Sequence, residues 1–152
     1  MRSLFTSLTF IALLSVSAAC GGDQSESDSD PEPEVSVEPA VTVRIVEPAE
    51  GGTVGSDVRV VLVTEGIEIV PITPPIPGTG HHHLYLDADV VAWDQVIPAG
   101  DPMIVHKGDG STEHTFEGVA PGPHRIISVV ANPAHIPIAP NVADTVNFTV
   151  GN

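Results

Sequence analysis

Glycine and proline interrupt this chain from residue 21 onward, with 14 and 15 copies in 152 residues. Between these interruptions no window carries a sustained apolar repeat at helical spacing. Short runs of alternating, β-branched residues recur instead. A chain punctuated in this way is restricted to short strands joined by turns. Val41–Val46 (VTVRIV) reads as a first strand, Glu47–Thr53 as turn chemistry, and Asp57–Thr64 (DVRVVLVT) as a second strand. Further strands are predicted at His82–Val90, Val91–Ile97, Met103–Lys107, Glu113–Glu117, Pro123–Ala131 and Ala143–Val150. Seven to eight short strands predict an all-β domain, an immunoglobulin-like β-sandwich over residues 41–152. A hydrophobic share of 41% is enough for one ordinary core. The single cysteine excludes an internal disulfide framework. The formal charge of -15 argues against nucleic acid and against a polybasic membrane surface, both of which require positive charge.

The first forty residues have a different character. Arg2 precedes an apolar stretch from Leu4 to Val16 that is short and Ser-rich for a spanning helix. Ser17-Ala18-Ala19 then lead into Cys20. This arrangement resembles the lipobox of bacterial lipoproteins, in which cleavage falls just before the cysteine and its thiol receives the lipid. The resemblance implies a signal peptide over 1–19, lipidation at Cys20, and an extracytoplasmic protein held on a bacterial membrane by its anchor. An ordinary secretory signal with a chance cysteine is the alternative. Residues 20–40 carry seven acids (Asp23, Glu26, Asp28, Asp30, Glu32, Glu34 and Glu38) and no base. Such a stretch is expected to be an extended, self-repelling tether. Val70 to Gly80, with four prolines, is expected to be a stiff surface loop.

All seven histidines fall between positions 81 and 135. In His81-His82-His83-Leu84-Tyr85-Leu86 the side chains alternate between the faces of a strand. If Leu84 and Leu86 face the core, His82 does too, as a structural histidine bonded to backbone. His81 and His83 then share the other face with Tyr85 and Asp87. Residues i and i+2 lie roughly 6–7 Å apart, within reach of one metal ion. The opposite phase is an alternative near a strand end, and so is a merely polar strand start. A metal site needs a third and usually a fourth ligand. His106 is expected at a strand end beside the Gly108-Asp109-Gly110 turn, and His135 in the loop after the Pro123 strand. Both can reach one rim of a sandwich. His114 and His124 are weaker candidates. His124 lies in Val119-Ala-Pro-Gly-Pro-His-Arg-Ile126, a segment that resembles the Leu-x-Pro-Gly-x-Tyr corner of immunoglobulin-like folds, with histidine in the tyrosine place.

Other chemistry is thinly supported. Asp87-Ala-Asp89 and Asp109 to Glu113 lack complete calcium-loop spacing. No glycine-rich phosphate loop is present, and no nucleophile elbow surrounds Ser111.

Four segments form an ordered series: Gly78-Thr-Gly-His-His-His-Leu-Tyr-Leu-Asp87, His106-Lys-Gly-Asp-Gly-Ser-Thr-Glu113, Ala120-Pro-Gly-Pro-His124 and His135-Ile-Pro-Ile-Ala-Pro140. Over about 41–152 this series resembles the bacterial secreted family known as domain of unknown function 4399. The resemblance implies an extracytoplasmic β-sandwich with repeated histidines, in a family without an established activity. More loosely, Ala120 to Val150 is similar to the last third of copper-resistance C type periplasmic carriers, which implies a copper-ligating role for His135. The chain departs from that type in lacking an N-terminal histidine on the domain and methionine-rich segments.

The expected function is transition-metal binding through His81, His83, His106 and His135, for carriage, buffering or sensing without catalysis. Copper(II) is favoured over zinc by the affinity order of nitrogen sites. The contrasting expectation is a structural or adhesion module of the envelope, whose histidines knit loops or bind a protein or glycan partner. A zinc hydrolase using Glu113 as base is the third reading. The sequence names no protein partner.

Overall fold

The computed structural model of the chain describes residues 40–90, 92–138 and 142–152. The signal segment 1–19, Cys20 and the acidic stretch to residue 39 lie outside the described residues.

Among the described residues every regular element is a strand. They are β1 (Thr42–Glu47), β2 (Thr53–Val54), β3 (Val58–Glu65), β4 (Glu68–Ile69), β5 (Thr79–Leu86), β6 (Ile104–Lys107), β7 (Glu113–Phe116), β8 (Gly122–Ala131) and β9 (Ala143–Val150). The order β1-β3-β7 forms a three-stranded sheet, and β2-β9-β8-β5-β4 forms a larger one. In the larger sheet β6 also pairs with β5, along the edge that β4 occupies only at Thr79 and Gly80. The all-β sandwich expected from the turn and strand pattern is the fold observed. Two two-residue strands, β2 and β4, are additions to the expected set.

Alternation builds the core between the sheets. In β1 the buried residues are Val43 and Ile45, and in β3 they are Val58, Val60 and Leu62. Ile45, Val58, Val60 and Leu62 cluster with Leu84, Ile126, Val146, Phe148 and Val150 from the larger sheet and with Phe116 and Val119, while Val43 packs with Val130 and Val142. Each fully buried aliphatic side chain contributes roughly 1.5–3 kcal/mol to this packing.

β5 does not alternate in burial, because every residue from Thr79 to Tyr85 is buried. The cause is a second apolar layer on the outer face of the larger sheet. Tyr85, Ile104, Ile127, Val129 and Ala131 project outward there and pack against Ile97, Trp93 and Val90. This corrects one expected strand. In Val91–Ile97 the described residues 92–97 form no strand. Trp93 and Ile97 pack on the sheet without joining its ladder, and Ile97 is buried while Val96 stays exposed. A second correction concerns the ends of β5, which starts at Thr79 and stops at Leu86 rather than running from His82 to Val90. Asp87 ends it in the left-handed region, with φ 54°, a conformation that aspartate tolerates better than most residues. The proline-bearing residues 70–78 do form a largely exposed loop, pinned where Ile72 N donates to Gly108 O at 3.1 Å.

Candidate metal centre

Two of the four candidate ligands come from the central strand. The period of two places His81 and His83 on the outer face of the larger sheet, while His82 points between the sheets. All three are nearly inaccessible, at 1%, 2% and 0% exposure respectively. Register supplies the third ligand. His106 on β6 stands directly opposite His83 on β5, and directly opposed residues of an antiparallel pair share a face. The fourth comes from the turn after β8. Asn132 shapes that turn: its side-chain oxygen accepts from Ala134 N and Ile136 N, and its carbonyl accepts from His135 N at 2.8 Å. His135 itself adopts φ 62°. That region is sparsely populated by residues other than glycine, and holding it costs of order 1 kcal/mol. The turn is held against the covering segment by Ile97 N, which donates to His135 O at 2.9 Å.

One ring nitrogen from each of His81, His83, His106 and His135 lies within 4.8 Å of all the others. The Nε2 atoms of His81 and His83 are 3.0 Å apart, and those of His106 and His135 are 3.3 Å apart. Ring centres give the shape. The six separations are 4.9, 4.9, 4.9, 5.0, 5.7 and 4.8 Å. Four points that are nearly equidistant from one another form a tetrahedron. Imidazoles bound at about 2.0–2.1 Å place their ring centres about 3.2 Å from a metal, hence about 5.2 Å apart in a tetrahedron. A square plane would instead give about 4.5 Å between neighbours and about 6.4 Å across. The observed set fits the tetrahedron, so these four histidines can hold a metal ion as a nitrogen-only group. No carboxylate belongs to the cluster.

Burial also sets protonation. Desolvation lowers His81 to about 4, helped by the nearby His106, His135 and His82. Desolvation again comes first for His83, which falls to about 3, with His81 and His106 next. His106 is lowered as well, by its partial burial and by His135. At neutral pH the two strand histidines are therefore neutral imidazoles, the form that binds metal without first releasing a proton. Acid therefore competes at these rings below the ordinary imidazole range. Nδ1 of His83 is buried without a hydrogen-bond partner among the described residues.

The other three histidines lie outside the cluster. His82 Nε2 is 3.2 Å from the Thr64 hydroxyl on the opposing sheet. Its partner is a side chain and not the backbone expected from the sequence. Burial lowers its pKa to about 4, with Lys107 adding to the effect. His114 sits edge-on to Phe116 with ring centres 4.6 Å apart. His124 fills the corner: Nε2 donates to Ala120 O at 2.8 Å, while Nδ1 lies 2.7 Å from the Asp87 carboxylate. That carboxylate raises the His124 pKa.

Three contributors to the site escaped sequence reading. Asn132 carried a usable signal, because Asn-Pro is a turn starter. Gly108 had been read only as part of a turn. A Cβ there would sit 2.5 Å from His106 Cε1 and 2.9 Å from its Nε2, so the His106 ring lies directly over the glycine. The wall formed by Ile97–Gly100 had no local signal at all.

The fold and the cluster define an all-β sandwich domain with a candidate four-histidine metal centre on the covered face of its larger sheet. The profile of the family described as Domain of unknown function (DUF4399) matches residues 60–151, and the chain belongs to that family. The match spans all four clustered histidines and is the family that the histidine motifs resemble. Comparisons with curated proteins and with solved structures gave no match.

Proposed function

We propose that this protein is an extracytoplasmic domain, tethered to a bacterial membrane through lipid on Cys20, that binds one transition-metal ion for carriage, buffering or sensing. The observation that carries the reading is the near-regular tetrahedron of the His81, His83, His106 and His135 rings. Four imidazole nitrogens suit borderline metals and do not meet the all-oxygen preference of calcium and magnesium. The negative field of the whole chain raises the local concentration of cations of every kind. Selection then falls to the nitrogen set. The affinity order of divalent ions favours copper(II), but copper(II) prefers a tetragonal arrangement. The tetrahedral shape shifts the preference to zinc. Four protein ligands complete a tetrahedral shell without an open position for water, which supports binding without catalysis.

The test is calorimetric titration of zinc and copper(II), separately, against tag-free protein. One-to-one submicromolar zinc binding, lost in the His81→Gln/His83→Gln double variant with the fold retained, supports the reading. Weak binding at several sites, unchanged in that variant, would leave the histidines as structural groups and return attention to the envelope-module reading.

A further inference from the structure

The four ligands are unequal in access. His81 and His83 are buried, at 1% and 2% exposure. His106 is exposed, and His135 is partly exposed. A cavity of about 180 Å³ opens on that side, lined by His83, Ile97, Ala99, Ile104, His106 and His135 among others. Three of the four imidazoles thus face one small chamber whose remaining wall is largely aliphatic. Its rim is fastened to one of these three, His135, by the bond from Ile97 N to His135 O.

We propose that this cavity is the port for ligand exchange at the centre, and that it admits one small neutral nitrogen donor of imidazole size. The inference rests on the metal reading above. The room is adequate: liquid water occupies about 30 Å³ per molecule, so the cavity has the capacity of roughly six waters. A carboxylate chelator would have to shed its hydration against an aliphatic wall, whereas a neutral imidazole loses little. The exchange step is a substitution without redox change. The incoming nitrogen gives its lone pair to the metal, the bond from the metal to His106 Nε2 breaks, and the freed ring turns to solvent. His81 and His83 keep hold of the ion during this step; a second donor then replaces His135 in the same way, and the ion passes to the acceptor only when the bonds to His81 and His83 are replaced in turn.

The experiment measures zinc release from the zinc-loaded full chain to excess chromogenic chelator, with and without millimolar free imidazole. Ala99→Phe narrows the port from an exposed position, and Ile97→Ala widens it. Free imidazole is expected to speed release at least tenfold in the parent protein. That acceleration is expected to be lost in Ala99→Phe and enlarged in Ile97→Ala, with equilibrium zinc affinity in Ala99→Phe unchanged. Acceleration that is absent, or equal in the parent and Ala99→Phe, overturns the port. Failure of the parent protein to bind zinc at all overturns the metal reading instead, so the two failures are distinguishable.

Discussion

Three buried neutral histidines make the metal-free protein sensitive to mild acid. Consider lowering the pH from 7 to 5. His81 and His82 are held to about 4 and His83 to about 3, so in the folded state all three stay neutral across this range. In the unfolded chain each titrates near 6.5 and is almost fully charged at pH 5. The unfolded state therefore takes up protons that the folded state does not, and stability falls as pH drops below about 6.5. Integrating the linkage gives roughly 2 kcal/mol for each ring and roughly 5–6 kcal/mol for the three. The result barely depends on how far the folded values are depressed, because the uptake occurs in the unfolded chain. The lowered His106 and His114 act in the same direction, and the raised His124 acts against it. A loss of this size is comparable to the whole stability of many domains. The assay is urea unfolding of chelator-treated protein at pH 7, 6 and 5, followed by the fluorescence of Trp93, the single tryptophan, which packs against the outer layer. The midpoint should fall by roughly 2–4 M urea between pH 7 and 5, and saturating zinc should reverse much of the fall at pH 6. A midpoint that moves less than about 0.5 M would refute the reasoning, because it would mean that these rings are solvated or charged in the folded protein.

Further outcomes follow from individual contacts. Gly108→Ala should weaken zinc binding at least tenfold by calorimetry, about 1.4 kcal/mol, because the added methyl displaces the His106 ring. Its urea midpoint should stay close to the parent value. Gly110→Ala should do the reverse, destabilising the fold, since that glycine has φ 75° and its added carbon would sit 2.7 Å from Pro71 N. Leu84→Ala, at a fully buried position between the sheets, should cost about 2–5 kcal/mol in urea unfolding. Asp87→Asn should return the His124 pKa toward its ordinary value in an NMR titration. A raised folded pKa stabilises most below the ordinary imidazole value, so the stability gap between this variant and the parent should be wider at pH 5 than at pH 8.

Local pattern determined a good deal of this protein. Period-two alternation in Val41–Val46 and Asp57–Thr64, cut by glycine and proline, was sufficient for an all-β sandwich. The same period put His81 and His83 on one face and His82 on the other, because side-chain direction in a strand is a local property. The histidine motifs also pointed to the family. Tertiary structure decided everything that depends on which strand pairs with which. The register of β5 against β6 sets His106 opposite His83, and no local feature of either strand encodes that match. Residues 92–97 read as part of a strand in the sequence but form none, because their apolar residues announce a buried face without saying whether the backbone joins a ladder. Their role as a cover gives β5 two buried faces, and that burial lowers the pKa values of His81 and His83. The left-handed turn at His135 then brings a fourth ring to the same point. A strand can present a pair of ligands by itself, but gathering four rings into a tetrahedron takes a strand pairing, a turn and a covering segment, and those contacts are distant in sequence.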